Sequence, residues 1–240
     1  MTVKEHYDTH LGNFYSWMAG DFTSKQKDFQ QFLEKQKLTP TLSKIALDLG
    51  AGHGIQSVAL GNLGFQVKAL DFNKQLLSEL QTNRQDLPIE IIEADIRSVE
   101  NYEDLQPELI VCWGDTLTHL DNTTEVKEFI ENCAKTLIPK GKLLLSFRDY
   151  TFELKGDKRF IPVKQDGEKI LTCFLEYETE RVRVTDLLYE KNGKGWEQKV
   201  SSYYKVRISP QEVEKTLVEN GLTLRISQSI NGLRMILAEK

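Results

Sequence analysis

Cysteine is scarce in this chain of 240 residues, and its three cysteines lie far apart at positions 112, 133 and 173. Their number is odd and each lies in an apolar segment, which argues against a disulfide framework or a metal cluster built on thiolates. We therefore expect free, buried thiols in a reducing compartment, with the cytoplasm as the default location, and no metal site.

Long apolar runs and an excess of basic residues are also missing. No segment approaches the roughly 20 apolar residues that cross a membrane, and the first six residues lack the apolar stretch of a signal peptide. The 31 Lys and Arg against 36 Asp and Glu give a net charge of −5. Because phosphate binding needs clustered basic side chains, we expect neither a nucleic acid nor a membrane as partner.

The most informative segment is IALDLGAGHGI, residues 45–55, in which a short apolar run is followed by glycines at every second position. Glycine permits positive φ and lets a ligand approach the backbone closely. A helix that starts directly afterwards offers unpaired N–H groups and a partial positive charge. The pattern predicts a nucleotide-type pocket. Its candidate residues are Asp48, Gly50, Ala51, Gly52 and Gly54.

Acidic residues also end the next two predicted strands. Asp71, followed by Phe72, lies 21 residues after Gly50 (71 − 50), where a carboxylate can accept from both hydroxyls of a ribose. Asp95, followed by Ile96, could accept from an adenine amino group while the aliphatic side chain covers the ring. Each acid alone could be a helix cap, but acids at three successive strand ends are hard to explain in that way.

These motifs, Asp-x-Gly-x-Gly-x-Gly, Asp71 and Ala-Asp-Ile, resemble those of the class I S-adenosylmethionine-dependent methyltransferases. The resemblance implies S-adenosylmethionine as the cofactor, and we also expect the edge of Trp113 near its adenine. A dinucleotide fingerprint fits less well, because Ile55 stands where it has its third glycine. The alternatives are an NAD-dependent dehydrogenase and a regulatory protein that binds the cofactor without catalysis.

Residues 6–37 carry aromatic side chains at helical spacing, which predicts one or two helices. Tyr7, Tyr15 and Trp17 of this segment could cover the cofactor, although aromatic residues at this spacing more often pack in the core.

Predicted strands and helices then alternate between residues 44 and 147. This alternation predicts an α/β fold with a doubly wound, mainly parallel sheet and a ligand at the carboxyl ends of its strands. A capping box at Ser209 and Glu212 predicts a further helix, and Asn231-Gly232 predicts a hairpin. A seven-stranded sheet that ends in an antiparallel hairpin is what the resemblance implies.

Residues 150–207 exceed what a minimal methyltransferase needs, and they alternate in polarity like strands. We predict a small antiparallel β insertion after the fifth strand that acts as a lid over the pocket. Residues 1–149 and 208–240 would then form the methyltransferase domain. The alternative is that the insertion has no such role or serves association into a homo-oligomer.

Polar residues follow the fourth and fifth predicted strands at the same edge of the sheet, and we take them as candidates for the catalytic side. They are Asp115, His119, Arg148 and Tyr150. An arginine at a strand end can donate two parallel hydrogen bonds to a carboxylate or phosphate of a ligand, unless a neighbouring acidic side chain pairs with the arginine. His119 or Tyr150 could help to move a proton, although His119 could equally be a packed histidine.

The segments CWGDTLTHL and RDY, with the SYY of the insertion, resemble glycine N-methyltransferase and related small-molecule N-methyltransferases. The resemblance implies that Arg148 holds the carboxylate of an amino acid. Asp115 replaces the asparagine of that family, so it could attract an ammonium group or bind the methionyl end of the cofactor. We predict methyl transfer to a small amine or amino-acid-like acceptor. A nucleic-acid amino-methyltransferase is disfavoured, because its Pro-Pro-aromatic turn is missing after the fourth strand.

Overall fold

The computed structural model describes residues 1–193, 195–230 and 232–240. Its main sheet contains β1 (Ile45–Leu49), β2 (Gln66–Asp71), β3 (Ile89–Glu93), β4 (Leu109–Cys112), β5 (Lys142–Phe147), β10 (Thr223–Ile230) and β11 (Leu233–Glu239). The strand order is β10-β11-β5-β4-β1-β2-β3. β1 to β5 are parallel, whereas β11 runs antiparallel to both neighbours. The predicted fold is confirmed; Asn231 of the predicted hairpin turn lies outside the described residues.

Several short helices precede the sheet. They are α1 (Val3–Thr9), a 3-10 turn (Leu11–Phe14), α2 (Tyr15–Ala19) and α3 (Phe22–Lys35). The aromatic spacing predicted one or two helices over this segment. The chain leaves the helical conformation at Gly20, whose φ of 91° ends α2. Asp21 then caps α3 by accepting a hydrogen bond from the Ser24 amide. The break turns α3 onto the main sheet while α1 and α2 stay beside the strand ends.

Helices cover both faces of the main sheet. They are α4 (Ile55–Asn62), α5 (Lys74–Asn83), α6 (Thr123–Thr136) and α7 (Pro210–Glu219). Side chains cap the first turns of two of these helices. Asn73 accepts a hydrogen bond from the Leu76 amide at the start of α5, and Ser209 with Glu212 forms the predicted capping box at the start of α7. Among the described residues, none of the helices is long and apolar enough to span a membrane.

A second sheet follows β5 in the chain. Its strands are β6 (Phe160–Gln165), β7 (Lys169–Tyr177), β8 (Arg181–Asn192) and β9 (Gly195–Val206), all antiparallel in the order β6-β7-β8-β9. The predicted antiparallel insertion is confirmed, and we call it the inserted sheet. Its inner face packs against the N-terminal helices through Leu171 and Leu188, which contact Leu11 and Phe14.

A buried polar cluster also joins α1 to the inserted sheet. His6 is fully buried, its Nδ1 lies 2.8 Å from the Ser201 hydroxyl, and its Nε2 lies 3.2 Å from a carboxylate oxygen of Asp186. The His6 ring also stacks on Tyr203 with a centroid separation of 4.2 Å. Because buried polar groups depend on such partners, α1 and the inserted sheet are held together by more than apolar contact.

Candidate active site

A cleft with about 910 Å³ of empty volume lies at the carboxyl ends of β1 to β4. The strand ends contribute Gly50, Gly52, Asp71, Phe72, Asp95, Ile96, Gly114 and Thr116. α1 and α2 contribute Tyr7 and Tyr15 from the other side. The cleft is therefore formed between the main sheet and the N-terminal helices.

The glycine-rich turn after β1 has a shape that only glycine permits. Gly50, Gly52 and Gly54 all have positive φ, between 53° and 99°. A Cβ on Gly50 would lie 2.4 Å from the Thr116 side chain, and one on Gly54 would lie 2.2 Å from Leu80. Gly50 and Gly52 line the cleft, whereas Ala51 and Gly54 shape the turn without lining it.

Asp71 is held by the same turn. Its carboxylate accepts from the amides of Gly52 at 2.8 Å and of Asn73 at 2.9 Å, and the residue is only 9% exposed. Burial raises the pKa of Asp71, and the two backbone amides act against that rise. A carboxylate has about four acceptor positions. The acceptor positions that the two amides do not use can accept hydrogen bonds from two neighbouring hydroxyl groups of a ligand in the cleft.

The carboxylate of Asp95 forms an ion pair with Arg97, a residue that the sequence interpretation missed. Arg97 donates from Nε and Nη2 to the two carboxylate oxygens of Asp95, at 2.9 and 2.8 Å, and pairs through Nη1 with Asp121 and Glu125. This bidentate pair lowers the pKa of Asp95 although burial opposes it. Asp95, Ile96 and Arg97 all line the cleft. The sequence signal that could have predicted this ion pair was the spacing of two residues between Asp95 and Arg97.

Tyr7 and Tyr15 form the wall of the cleft opposite the strand ends. The Tyr7 ring meets Phe72 edge to face at 5.5 Å, and Tyr15 lies over Gly52. Burial raises the pKa of Tyr15 to about 12, so its hydroxyl stays protonated at neutral pH. Both tyrosines were predicted as aromatics that could cover a ligand. Trp17, predicted with them, instead donates its indole N–H to Asp166 of the inserted sheet.

His119 also lines the cleft. Its Nε2 lies 3.4 Å from the Tyr7 hydroxyl, and its buried Nδ1 has no hydrogen-bond partner within the described ranges. Burial, helped by the nearby charge of Lys205, lowers the pKa of His119 well below its ordinary value. The imidazole is therefore neutral and has one nitrogen left to bind a ligand. Of the four predicted catalytic residues, His119 is the one that lines the cleft.

Asp115 lies beside the cleft but its carboxylate is already occupied. It accepts from the Thr118 hydroxyl at 2.8 Å, the Arg148 amide at 2.8 Å and the Tyr150 hydroxyl at 3.0 Å. Its fourth partner is the ammonium of Lys205 on β9. The ammonium group that Asp115 holds therefore belongs to the chain itself, to a lysine of the inserted sheet that sequence reasoning missed.

Tyr150, Arg148 and Trp113 do not line the cleft. Tyr150 is buried, and burial together with Asp115 raises its pKa well above the ordinary value, which does not suit a proton acceptor. The Arg148 side chain is exposed and points towards Gly232 of the β10–β11 hairpin, because β11 is the neighbour of β5. The Trp113 ring packs against Phe29 of α3 at 5.0 Å, in the apolar cluster between α3 and the main sheet.

Asp48 also stays below the turn instead of lining the cleft. It is 1% exposed and accepts from the Ser57 hydroxyl at 2.5 Å. Burial raises the pKa of Asp48 to about 7, with a smaller contribution in the same direction from Asp71. Its position ties the end of β1 to α4, so it supports the glycine-rich turn from beneath.

Known proteins share these features. Residues 47–145 match the family model described as a methyltransferase domain. A putative methyltransferase, YqeM of Bacillus subtilis (strain 168), is 25% identical over 183 residues, which cover 74% of this chain and 73% of that protein. A solved S-adenosylmethionine-dependent methyltransferase from Clostridium acetobutylicum ATCC 824 superposes with a TM-score of 0.74 at 15% identity, over 98% of this chain and 96% of the other. The chain therefore carries a methyltransferase domain, and its fold is that of S-adenosylmethionine-dependent methyltransferases.

Other relatives of this methyltransferase differ in their acceptors. A glycine/sarcosine N-methyltransferase of Aphanothece halophytica is 26% identical over 45% of this chain, which spans 42% of that relative. A ubiquinone biosynthesis O-methyltransferase of Idiomarina loihiensis is 31% identical over 43% of this chain and 42% of its own length. The SAM-bound aminopentose methyltransferase CalS10 superposes with a TM-score of 0.73 at 14% identity, over 92% of this chain and 93% of the other.

The buried Asp48 predicts a pH dependence of the stability of this methyltransferase. Because its folded pKa of about 7 exceeds the ordinary 3.8, the folded state keeps a proton that the unfolded state loses between these values. Stability should therefore fall as pH rises through this window, by up to about 1.4 kcal/mol per pH unit, and level off above pH 7. Urea unfolding at pH 5 and pH 8 measures the difference.

In that comparison Asp48→Asn should remove most of the loss of stability between pH 5 and pH 8. Asp28→Asn, an exposed change on α3, should keep the wild-type difference. An equal pH response in Asp48→Asn and wild type would show that Asp48 is already ionised at low pH in the folded protein.

Proposed function

We propose that this methyltransferase holds S-adenosylmethionine with Asp71 on the ribose hydroxyls and with Asp95 and Ile96 at the adenine. The support is the cleft itself: two acidic side chains line it near the ends of adjacent strands, beside a turn whose Gly50 and Gly52 also line it. The cofactor supplies a methyl group activated on a sulfonium. The chain's own residues hold it, orient it and exclude water.

Arg97 should act on cofactor affinity through Asp95. Arg97→Ala removes both donors that fix the Asp95 carboxylate, so the oxygen needed by the adenine amino group is no longer held in place. We expect affinity to fall about tenfold, the equivalent of one good hydrogen bond. Calorimetry with S-adenosylhomocysteine measures this. Arg225→Ala, which removes an arginine–glutamate pair on the distant β10–β11 hairpin, should leave the affinity unchanged.

The acceptor in this proposal is a small amine or amino-acid-like molecule. One observation carries it: the unpaired, buried Nδ1 of His119 in the wall of the cleft. A neutral imidazole whose Nε2 faces the Tyr7 hydroxyl can donate there and accept at Nδ1. An acceptor nitrogen that carries N–H groups would supply the missing donor. The inserted sheet and α1, acting as a lid, would restrict the acceptor to a small molecule.

Methyl transfer to such an acceptor is an in-line displacement. The nitrogen lone pair forms the new C–N bond as the C–S bond breaks, and the thioether leaves with its electron pair. His119 orients the N–H group so that the lone pair faces the methyl carbon. Because the pKa of His119 is low, it positions the acceptor but is a weak base, and the proton leaves to solvent after transfer.

The test is formation of S-adenosylhomocysteine from S-adenosylmethionine in the presence of amines, amino acids, amino sugars or phenols. We expect turnover with members of the nitrogen classes. His119→Ala should lower kcat/KM for the best acceptor by about 10- to 100-fold, with cofactor affinity changed less than about threefold. His10→Ala, at a buried histidine that does not line the cleft, is the matched control. Turnover of phenols alone would assign this chain to hydroxyl acceptors instead.

A further inference from the structure

A second cavity lies beside the glycine-rich turn, and it shares no lining residue with the cleft. It has about 530 Å³ of empty volume and lies between α2, the start of α3, that turn and α5. Its polar lining residues are Ser16, His53, Glu79, Thr82 and Asn83, and the ring of Phe22 lies beside them. The function proposed above makes no use of these side chains.

His53 is the most deeply buried of these polar residues. It is 4% exposed, and its buried Nε2 has no hydrogen-bond partner among the residues that the structure describes. Burial lowers the pKa of His53, although Glu79 acts in the other direction, so the ring is neutral at physiological pH. A neutral imidazole offers one nitrogen as an acceptor. An unpaired ring nitrogen in the wall of a cavity is a position to which a ligand can donate.

The other polar groups of the lining already donate within the chain. The Ser16 hydroxyl donates to the Glu79 carboxylate, and the Asn83 side-chain amide donates to the His53 carbonyl at 2.9 Å. The Thr82 hydroxyl donates to a backbone carbonyl of α5 at 3.3 Å. The oxygens of these three side chains remain open to a donor. The lining therefore favours a ligand that donates hydrogen bonds.

Glu79 gives the cavity a negative charge. Its two side-chain partners, a serine and a glutamine, are neutral, and no lysine or arginine in the described part of the chain pairs with it. Lys25 and Lys164 approach Gly20, but neither lines the cavity, and the Lys164 ammonium donates to a backbone carbonyl of α2. The carboxylate is thus left to attract a cation from solution.

We propose that this cavity binds a small organic ammonium ion. The ammonium would donate to the Glu79 carboxylate and to the acceptors around it, and the Phe22 ring would contact its alkyl part and attract its charge. A metal ion fits less well, because within the described ranges no group of three or more His, Cys, Asp or Glu side chains could hold one. The cavity is separate from the cleft, so this proposal does not depend on the acceptor proposed above.

Titration with n-butylammonium chloride at constant ionic strength, read from the imidazole signals of ¹⁵N-labelled protein, tests the proposal. The chain has 4 histidines, so His53→Phe identifies the His53 signal by its loss. We expect saturable shifts of that signal and of the Asn83 side-chain amide below about 50 mM. Glu79→Gln should weaken binding about tenfold, because the acceptor loses its charge. Glu34→Gln, at an exposed acid of α3 that also accepts from a glutamine, should bind as wild type does.

Phe22→Leu is a second variant in case Glu79→Gln fails to fold. It removes the aromatic face and keeps an apolar side chain, so it should weaken binding about threefold. Wild-type affinity in either variant would overturn the proposal, and so would the absence of saturable shifts in wild type.

The same signals distinguish other ligands and the other site. Saturation by sodium acetate would show that the cavity takes an anion, and saturation by zinc chloride but not by n-butylammonium would show a metal site. Either result would overturn the proposal. Shifts of the His53 signal that disappear in His119→Ala would mean that the probe binds in the cleft, which would remove this proposal and leave the proposed acceptor standing.

Discussion

Replacing Asp115 with asparagine should lower the free energy of unfolding by about 3–5 kcal/mol, because it leaves the Lys205 ammonium buried without its counter-ion. Both side chains are only 7% exposed. The loss of stability would be large, since the Asp115 carboxylate also accepts hydrogen bonds from the Thr118 and Tyr150 hydroxyls. Urea unfolding at neutral pH measures the change.

Two further variants separate a buried charge from a general disturbance at this position. Lys205→Met alone should also destabilise, whereas the double variant Asp115→Asn/Lys205→Met should recover much of the stability, because neither charge remains. Lys68→Met, which breaks the partly exposed Lys68–Glu90 pair, should cost less than about 1 kcal/mol. If Asp115→Asn costs no more than Lys68→Met, the ion pair does not join the inserted sheet to β4 as we describe.

Asp71→Ala should weaken binding of S-adenosylhomocysteine by about 100-fold or more. Two hydrogen bonds from ribose hydroxyls to a carboxylate contribute roughly 1.5 kcal/mol each or more, and their loss also leaves the Gly52 and Asn73 amides without their acceptor. Calorimetry gives the affinity. Glu93→Ala, an exposed acid at the end of β3, should bind as wild type does.

A cofactor analogue makes that prediction sharper. S-adenosylhomocysteine without the ribose 2′-hydroxyl has already lost one partner of Asp71, so Asp71→Ala should weaken its binding less than it weakens that of the complete molecule. Equal losses for both ligands would mean that Asp71 acts only on the turn, through Gly52, and not on the sugar.

The side of the cleft at the ends of β1 to β3 could be predicted from the sequence because its signals are local. Gly50 and Gly52 follow the end of one strand, Asp71 ends the next, and Asp95 lies two residues past the end of the third. Parallel strands bring their carboxyl ends to one edge of a sheet, so order along the chain gives proximity in space.

The surroundings of Asp115 and His119 could not be predicted in the same way, because they depend on contacts between distant segments. Lys205 reaches Asp115 across 90 residues, and His6 reaches Ser201 across 195. Arg148 leaves the strand end towards a hairpin that the chain adds much later. Trp113 is different: it lies one residue past the end of β4, and the period of two continued from Val111 could have placed it on the side of α3.

The most direct test of the account is a crystal structure of the chain with S-adenosylhomocysteine. We predict that both ribose hydroxyls lie within hydrogen-bond distance, about 2.6–3.2 Å, of the Asp71 carboxylate, with the adenine against Ile96 and its amino group at Asp95. Ligand density outside this cleft, or a ribose bound with Asp71 turned away from it, would contradict the account.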